Sequence, residues 1–357
     1  MTQHVLIIRL SAIGDVAMAV PVVYSVARQY PDVRFTVLSK PFARPFFDSL
    51  APNVFFMAAD IKGEYSGIRG LNKLYRRLVA KNFIAIADLH DVLRSKYLRL
   101  RFNLTFAGRP KTAHIDKHRK WRRELCSEKD KVMRQLPTSF DNYLEVLSRL
   151  GFPATLTFKN LFQSTTAGAA TDGKGNLTKL PSPFNTKPAG EKWLGIAPFA
   201  AHQWKVYPTE MMHEVIAGLV KKDKNLHIYL FGGGKEEMAV FDAWCKEFSQ
   251  CSNASAALGG LSNELILMSH LDVMLSMDSG NMHMAAIAGC PVVSVWGATH
   301  PYAGFAPWGQ SQDDVIGVDL PCRPCSIYGN KPCSRGDFAC MRSIAPEAII
   351  SKLSKYI

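Results

Sequence analysis

The stretch from Leu271 to Gly297 spells a complete strand–helix–strand unit. Leu271-Asp272-Val273-Met274-Leu275-Ser276-Met277 is a short, nearly continuous apolar run, the pattern of a strand buried on both faces. Asp278, Ser279 and Gly280 interrupt it. Met282 to Gly289, with Ala285, Ala286 and Ala288, then reads as a helix of small residues that packs closely on a sheet. Pro291-Val292-Val293-Ser294-Val295-Trp296 returns as a second strand. Strands joined through a crossover helix are parallel neighbours. The turn between strand and helix also favours an anion, because the free N–H groups and the dipole of the helix start point at it. The ligand expected over Asp278 to His283 is the diphosphate of a nucleotide-sugar.

The same alternation runs along the rest of the chain. In the first half, His4 to Arg9, Val33 to Leu38, Val54 to Met57 and Phe83 to Asp88 read as strands, and Leu104 to Ala107 as a fifth. Between them, Val16 to Tyr30 and Gly67 to Asn82 read as helices, the second with Leu71, Leu74 and Leu78 inward and its cations outward. A second series starts at Trp193 to Pro198 and continues through helices at Pro208–Lys221, Lys235–Phe248 and Leu261–Ser269, with a strand at Leu226–Phe231. The expected class is therefore α/β, with two Rossmann-like, doubly wound domains facing a cleft. A chain of 357 residues is too long for one ordinary core. The expected division is 1–160, a Thr-, Gly-, Pro- and Ser-rich linker at 161–191, a second domain at 192–342, and a terminal helix within 343–357.

The formal charge of +13, from 43 basic and 30 acidic residues, requires an acidic partner. It concentrates between Arg94 and Arg134, where Arg94, Arg119, Lys120 and Arg122 are the candidate contacts to a phosphorylated acceptor. Nucleic acid is one possible partner. A phosphorylated lipid headgroup at a membrane surface is the other, with Trp121 suited to an interface. No apolar run approaches the roughly 18–20 residues needed to span a bilayer, and the first residues lack a secretory signal. The expected location is cytoplasmic. Eight cysteines without such a signal argue against a disulfide framework. Cys322-Arg323-Pro324-Cys325 with Cys333 and Cys340 is either a zinc tetrathiolate or a set of reduced structural thiols.

Asp15 follows the first strand; it is either a helix cap or a carboxylate at the ligand-binding sheet edge, placed to act as general base. Gly232-Gly233-Gly234 ends a strand, so Gly233 lets a ligand approach the backbone, and Glu236 or Glu237 is placed to hold a ribose. This is not the GxGxxG fingerprint of a dinucleotide dehydrogenase. Lys205 sits in a strand-to-helix loop where a diphosphate needs a cation. His283 is a packing residue or a neighbour of that phosphate.

Taken together, these motifs resemble glycosyltransferase family 9, the ADP-heptose–lipopolysaccharide heptosyltransferases. The resemblance rests on Arg9-Leu10-Ser11-Ala12-Ile13-Gly14-Asp15-Val16, on Asp88-Leu89-His90 with Arg94-Ser95, and on Trp204-Lys205-Val206-Tyr207-Pro208. It is strongest at Asp278 to Ala286, followed by Pro291-Val292-Val293 and the Gly297, Thr299 and Pro301 set; the cysteine tail also fits. It departs at Ala200 and Ala201, where the family carries hydroxyl groups.

The resemblance implies a bacterial GT-B enzyme whose first domain binds the acceptor and whose second binds the nucleotide-sugar, with the last helix crossing back to the first domain. It implies an inverting, metal-independent transfer with no cofactor beyond the donor, ADP-heptose. Asp15 would be the base. Lys205, Gly233, Ser279, Gly280, Met282 and His283 would hold the donor, Glu236 its ribose, and Asp278 the sugar or the backbone around it. The acceptor would be a phosphorylated lipid-linked oligosaccharide, met at the inner face of the cytoplasmic membrane. A sugar-nucleotide epimerase of the same architecture would need no basic acceptor face. A nucleic-acid binder would leave Asp15 and Lys205 without a role, so nucleic acid is not the expected partner.

Overall fold

Each strand pairing in the computed structural model is parallel, as the apolar-run pattern requires. The structure describes residues 3–104, 108–163 and 173–357. They fall into two units, Met1–Lys117 with Pro137–Ala170, and His118–Leu136 with Thr171–Ile357.

The first unit runs β1 (His4–Ile8), α1 (Ile13–Gln29), β2 (Arg34–Ser39), α2 (Arg44–Phe47), β3 (Val54–Ala58), α3 (Gly67–Val79), β4 (Ala85–Asp88), α4 (Leu93–Asn103) and β5 (Lys111–His114). The chain leaves this unit for one short helix, α5 (Arg119–Leu125), and returns for α6 (Ser139–Arg149). The sheet order is β3-β2-β1-β4-β5. Beneath it, Leu6, Ile8 and Ile86 pack with Leu74 and Leu78 of α3 and with Leu98 and Phe102 of α4. Of the fifth strand expected at Leu104–Ala107, Leu104 instead closes α4, and residues 105–107 lie outside the described residues. The fifth strand is β5, Lys-Thr-Ala-His, at the sheet edge, where only Ala113 is buried and no apolar run arises.

The second unit runs β6 (Lys192–Ala197), α7 (Thr209–Lys222), β7 (Leu226–Leu230), α8 (Lys235–Glu247), β8 (Cys251–Asn253), α9 (Ala254–Leu258), α10 (Leu261–Met268), β9 (Val273–Met277), α11 (Gly280–Ala288), β10 (Val292–Val295), β11 (Val315–Ile316), α12 (Ala339–Arg342) and α13 (Pro346–Leu353). Its order is β11-β10-β9-β6-β7-β8. In both sheets the chain starts in the middle, builds outward to one side, then resumes on the other. The reversal points lie between β1 and β4 and between β6 and β9, and open α/β sheets bind ligands beyond the strand ends at such points.

Two expected boundaries move. The segment His118–Leu136 belongs with the second unit, where Leu125 and Leu136 are buried with Ala303 and the Leu136 N–H donates to Tyr302 O at 2.8 Å. The final helix also stays there: Ile349 and Leu353 of α13 join the core formed with Val215, Ile216 and Leu219 of α7. Gly218 permits that approach, since a Cβ on it would lie 2.6 Å from Ile350 Cδ1.

Candidate active site

At the end of β1 the apolar run gives way to Arg9, a guanidinium only 7% exposed. A buried charge of this kind requires partners. Arg9 Nη1 donates to Leu89 O beyond β4 at 2.6 Å, and Nη2 pairs with Asp15 Oδ2 at 2.5 Å. Burial alone would push this guanidinium down, but Asp15, Tyr143 and Asp88 more than offset it and hold it above its ordinary value. Asp15 also accepts the Ala12 N–H at 3.1 Å, three residues back, so it is both a cap and an ion-paired carboxylate. Its side chain remains 31% exposed, which leaves room for a hydroxyl to reach it.

The neighbouring strand supplies the frame. Asp88, fully buried at the end of β4 and in register with Ile8, accepts the N–H groups of His90 and Asp91 at 3.0 and 2.9 Å. Its other oxygen meets Arg99 of α4 at 2.9 Å. His90 is buried, and burial followed by the nearby Arg9 charge pushes it down to about 3, so it is neutral at physiological pH. Replacing Arg99 with Met should take the directly paired counter-charge from the buried Asp88 carboxylate, leaving only the more distant Arg9, and cost about 3 kcal/mol of stability. Urea unfolding with a loss under about 1 kcal/mol would contradict this role for the pair.

In the second unit, Lys205 sits in a single turn of 3-10 helix, Gln203–Lys205, after β6. Its ammonium lies 3.2 Å from Asp278 Oδ2, with the two side chains 13% and 8% exposed. Thr299 Oγ1, also buried, donates to the same oxygen at 2.8 Å. The Lys205 stem packs directly against Gly329, which has φ +71° and no room for a Cβ. Asp278 therefore fixes the lysine head from β9 while Gly329 fixes its stem.

Next to this pair, α11 begins. Ser279 is its N-cap in extended conformation, makes no side-chain hydrogen bond to the helix, and lies with its Oγ 3.2 Å from Ser276 Oγ. Ser279, Gly280 and Asn281 are half-buried, so backbone N–H groups at the helix start are reachable by a ligand. Met282 is fully buried and His283 is 5% exposed. Both side chains therefore pack inward. At the end of β7, Gly233 is exposed and an added Cβ there would meet nothing within 4 Å. Its N–H donates to Glu237 Oε2 at 2.7 Å, and burial pushes that carboxyl up. Glu237 thus closes the turn, while Glu236 beside it is exposed.

The expected acceptor contacts are divided between the two units. Arg94 lies exposed on α4 in the first unit, whereas Arg119, Lys120 and Arg122 lie on α5 in the second. Arg122 is committed locally: it donates to Tyr328 Oη at 2.7 Å and lies over the Phe305 ring at 5.2 Å. Lys131 is likewise drawn inward, donating to Cys322 O at 3.1 Å and Pro324 O at 2.7 Å. Cys322, Cys325, Cys333 and Cys340 are free thiols lining one cavity with Trp204 and Arg323. Among the described residues, no group of three or more His, Cys, Asp or Glu is placed to hold a metal ion. Burial, followed by the neighbouring cysteines, pushes Cys340 up to about 11, so it is protonated at neutral pH.

Arg9, His90 and Thr299 were not singled out from the sequence as site residues, although each lies inside a motif quoted above. The signal for Arg9 was an arginine closing an apolar strand, a position where charge is tolerated only when paired.

With this geometry established, comparison with known proteins gives a consistent assignment. The family model for glycosyltransferase family 9 (heptosyltransferase) matches residues 71–332. The chain is 26% identical over 324 residues to the lipopolysaccharide core heptosyltransferase OpsX of Haemophilus influenzae, covering 87% of this chain and 83% of that one. It is 24% identical over 197 residues to lipooligosaccharide heptosyltransferase 2 of Campylobacter jejuni, covering 51% of this chain and spanning 59% of that relative's length. The solved ADP-heptose lps heptosyltransferase II of E. coli superimposes with a TM-score of 0.68 at 19% identity, covering 99% of this chain and 98% of that one. The fold is therefore GT-B, as expected.

Proposed function

The chain belongs to glycosyltransferase family 9, and on that premise we propose that it moves heptose from ADP-heptose to a lipopolysaccharide core acceptor with inversion at the anomeric carbon. The observation that carries this reading is the placement of charge at the two reversal points. The Arg9–Asp15 pair follows β1, and Lys205, held by Asp278 and Thr299, stands beside the start of α11.

The chemistry follows from those groups. Asp15 accepts the proton of the acceptor hydroxyl as its oxygen attacks the anomeric carbon from the face opposite the diphosphate. The glycosidic bond forms, the bond to the diphosphate breaks, and negative charge develops on the departing ADP. Lys205 and the N–H groups opening α11 are the positive partners for that charge. Glu236, exposed at the start of α8, is the carboxylate assigned to the ribose on this reading. Ala200 and Ala201 bring no hydroxyl to the phosphates, so more of the diphosphate charge rests on Lys205. The names of the relatives, with their ADP-heptose and lipopolysaccharide core specificity, support the choice of donor and acceptor.

Among the described residues, no helix is long and apolar enough to cross a membrane. The acceptor is lipid-linked on this reading, so the proposed setting is the cytoplasmic face of the inner membrane, with peripheral contact.

The test is a reaction of the purified chain with ADP-heptose and a heptose-deficient core acceptor. ADP release should depend on the acceptor, and the new linkage should have the anomeric configuration opposite to the donor's. Release from a UDP-sugar only, or a donor converted to its epimer without acceptor, would refute the assignment.

A further inference from the structure

α4 has two apolar faces, and only one of them is used by the fold. Ser95, Leu98 and Phe102 point inward and are at most 2% exposed. Leu93, Leu100 and Leu104 are 86%, 55% and 64% exposed. At 3.6 residues per turn, positions i, i+7 and i+11 fall within about 40° of one another, so these three leucines form one outward stripe about 16 Å long. Leucines singly exposed are ordinary, but an aligned set is not. Arg94 and Lys96 flank the stripe and are also exposed. α3 packs alongside, with Tyr97 Oη donating to Asn72 Oδ1 at 2.7 Å and the Tyr75 and Phe102 rings 5.1 Å apart. It leaves Ile68 68% exposed, with Arg69 and Arg76 also exposed. Neither helix contains an acidic residue.

We infer that the outward face of α4, bordered by α3, is the surface that docks this protein on an anionic bilayer, with Leu93, Leu100 and Leu104 entering the headgroup region. The inference rests on the proposed membrane-borne acceptor and adds which surface makes the contact. Asp91 pairs with Lys96 and Glu64 with Lys73 at the margins, which leaves Arg94, Arg69 and Arg76 as an excess of positive charge. An apolar stripe with such a cationic border, on helices that carry no carboxylate, is the composition of a helix that lies in a membrane interface. Charge selects this occupant over a second copy of the chain. A symmetric dimer would set the same patch against itself, cation against cation. Arginines and lysines beside lipid phosphates have no such conflict.

Flotation of the full chain with vesicles tests the assignment. Vesicles of 70:30 phosphatidylcholine and phosphatidylglycerol should carry the protein, and phosphatidylcholine alone should carry much less, with binding to the mixed vesicles falling as salt rises. The triple variant Leu93→Ser, Leu100→Ser and Leu104→Ser should bind mixed vesicles at least tenfold more weakly. Because these side chains point outward, its thermal midpoint and its turnover on a short, soluble acceptor should match the parent's. Parent and triple variant binding equally would overturn the stripe while leaving membrane contact standing. A parent that binds neither vesicle would overturn membrane contact itself. Unchanged vesicle binding with a dimer that becomes monomeric in the variant, read by analytical ultracentrifugation, would reassign the stripe to a second copy.

Discussion

Asp15→Asn should lower the transfer rate by about 10³-fold, within the range a positioned general base contributes. The amide keeps the size and nearly the shape of the carboxylate, and its oxygen still accepts the Ala12 N–H. It does not take a proton from an acceptor hydroxyl. The variant also removes the anionic partner of Arg9, a guanidinium that is 7% exposed and otherwise bonded to the Leu89 carbonyl. A fall in stability is therefore expected with the fall in rate, because a buried charge has lost its partner. Asp15→Glu separates the two effects. It keeps the charge beside Arg9 but moves the oxygens, so it should retain most of the stability and still lose rate. A loss under tenfold in folded Asp15→Asn enzyme, measured at saturating donor, would remove Asp15 as the base.

Lys205→Met should lower kcat/KM for the donor by about 10²–10³-fold, the scale of losing one preorganised contact to charge that develops in the transition state. Methionine preserves the stem that packs on Gly329, so the substitution removes the ammonium with little disturbance of the packing. Asp278 then keeps only the Thr299 hydroxyl of these two partners and presents an unbalanced carboxylate toward the diphosphate. Both a higher KM for donor and a lower kcat are expected. Lys205→Arg should rescue little, because a planar guanidinium does not replace a point charge on a fixed stem. Unchanged donor kinetics in Lys205→Met would contradict the placement of the diphosphate beside α11.

How much of this was legible in the sequence depended on whether the deciding forces were local. The unit from Leu271 to Gly297 was readable because burial on both faces demands an unbroken apolar run and the turn demands Asp-Ser-Gly. β5 was not, because an edge strand such as Lys111–His114 buries little and carries no such pattern. The exchange of His118–Leu136 into the second unit was hidden for a different reason. It depends on Leu125 and Leu136 meeting Ala303, and on Lys131 reaching the carbonyls of Cys322 and Pro324, 191 and 193 positions further along the chain.

The candidate site divides in the same way. Asp15, Lys205, Gly280 and Asp278 were visible as residues at strand ends, where an α/β sheet presents its ligands. Their pairings were not visible, because the Lys205–Asp278 and Arg9–Leu89 contacts join segments that follow different strands, 73 and 80 residues apart in the chain. The direction of the Met282 side chain was hidden for a related reason: sequence position places it at the helix start, while helix phase turns its side chain into the core. Arg94 and Arg122 looked like members of one basic patch by proximity along the chain, but fold topology sends them to different units.

The central claim is a division of labour, with proton removal in the first unit and donor binding in the second. It is tested most directly by titration calorimetry of ADP against Asp15→Asn. The account predicts a dissociation constant within about twofold of the parent's, a difference of only about 0.4 kcal/mol, in a variant whose turnover has collapsed. ADP binding lost together with turnover, in protein shown to be folded, would contradict it.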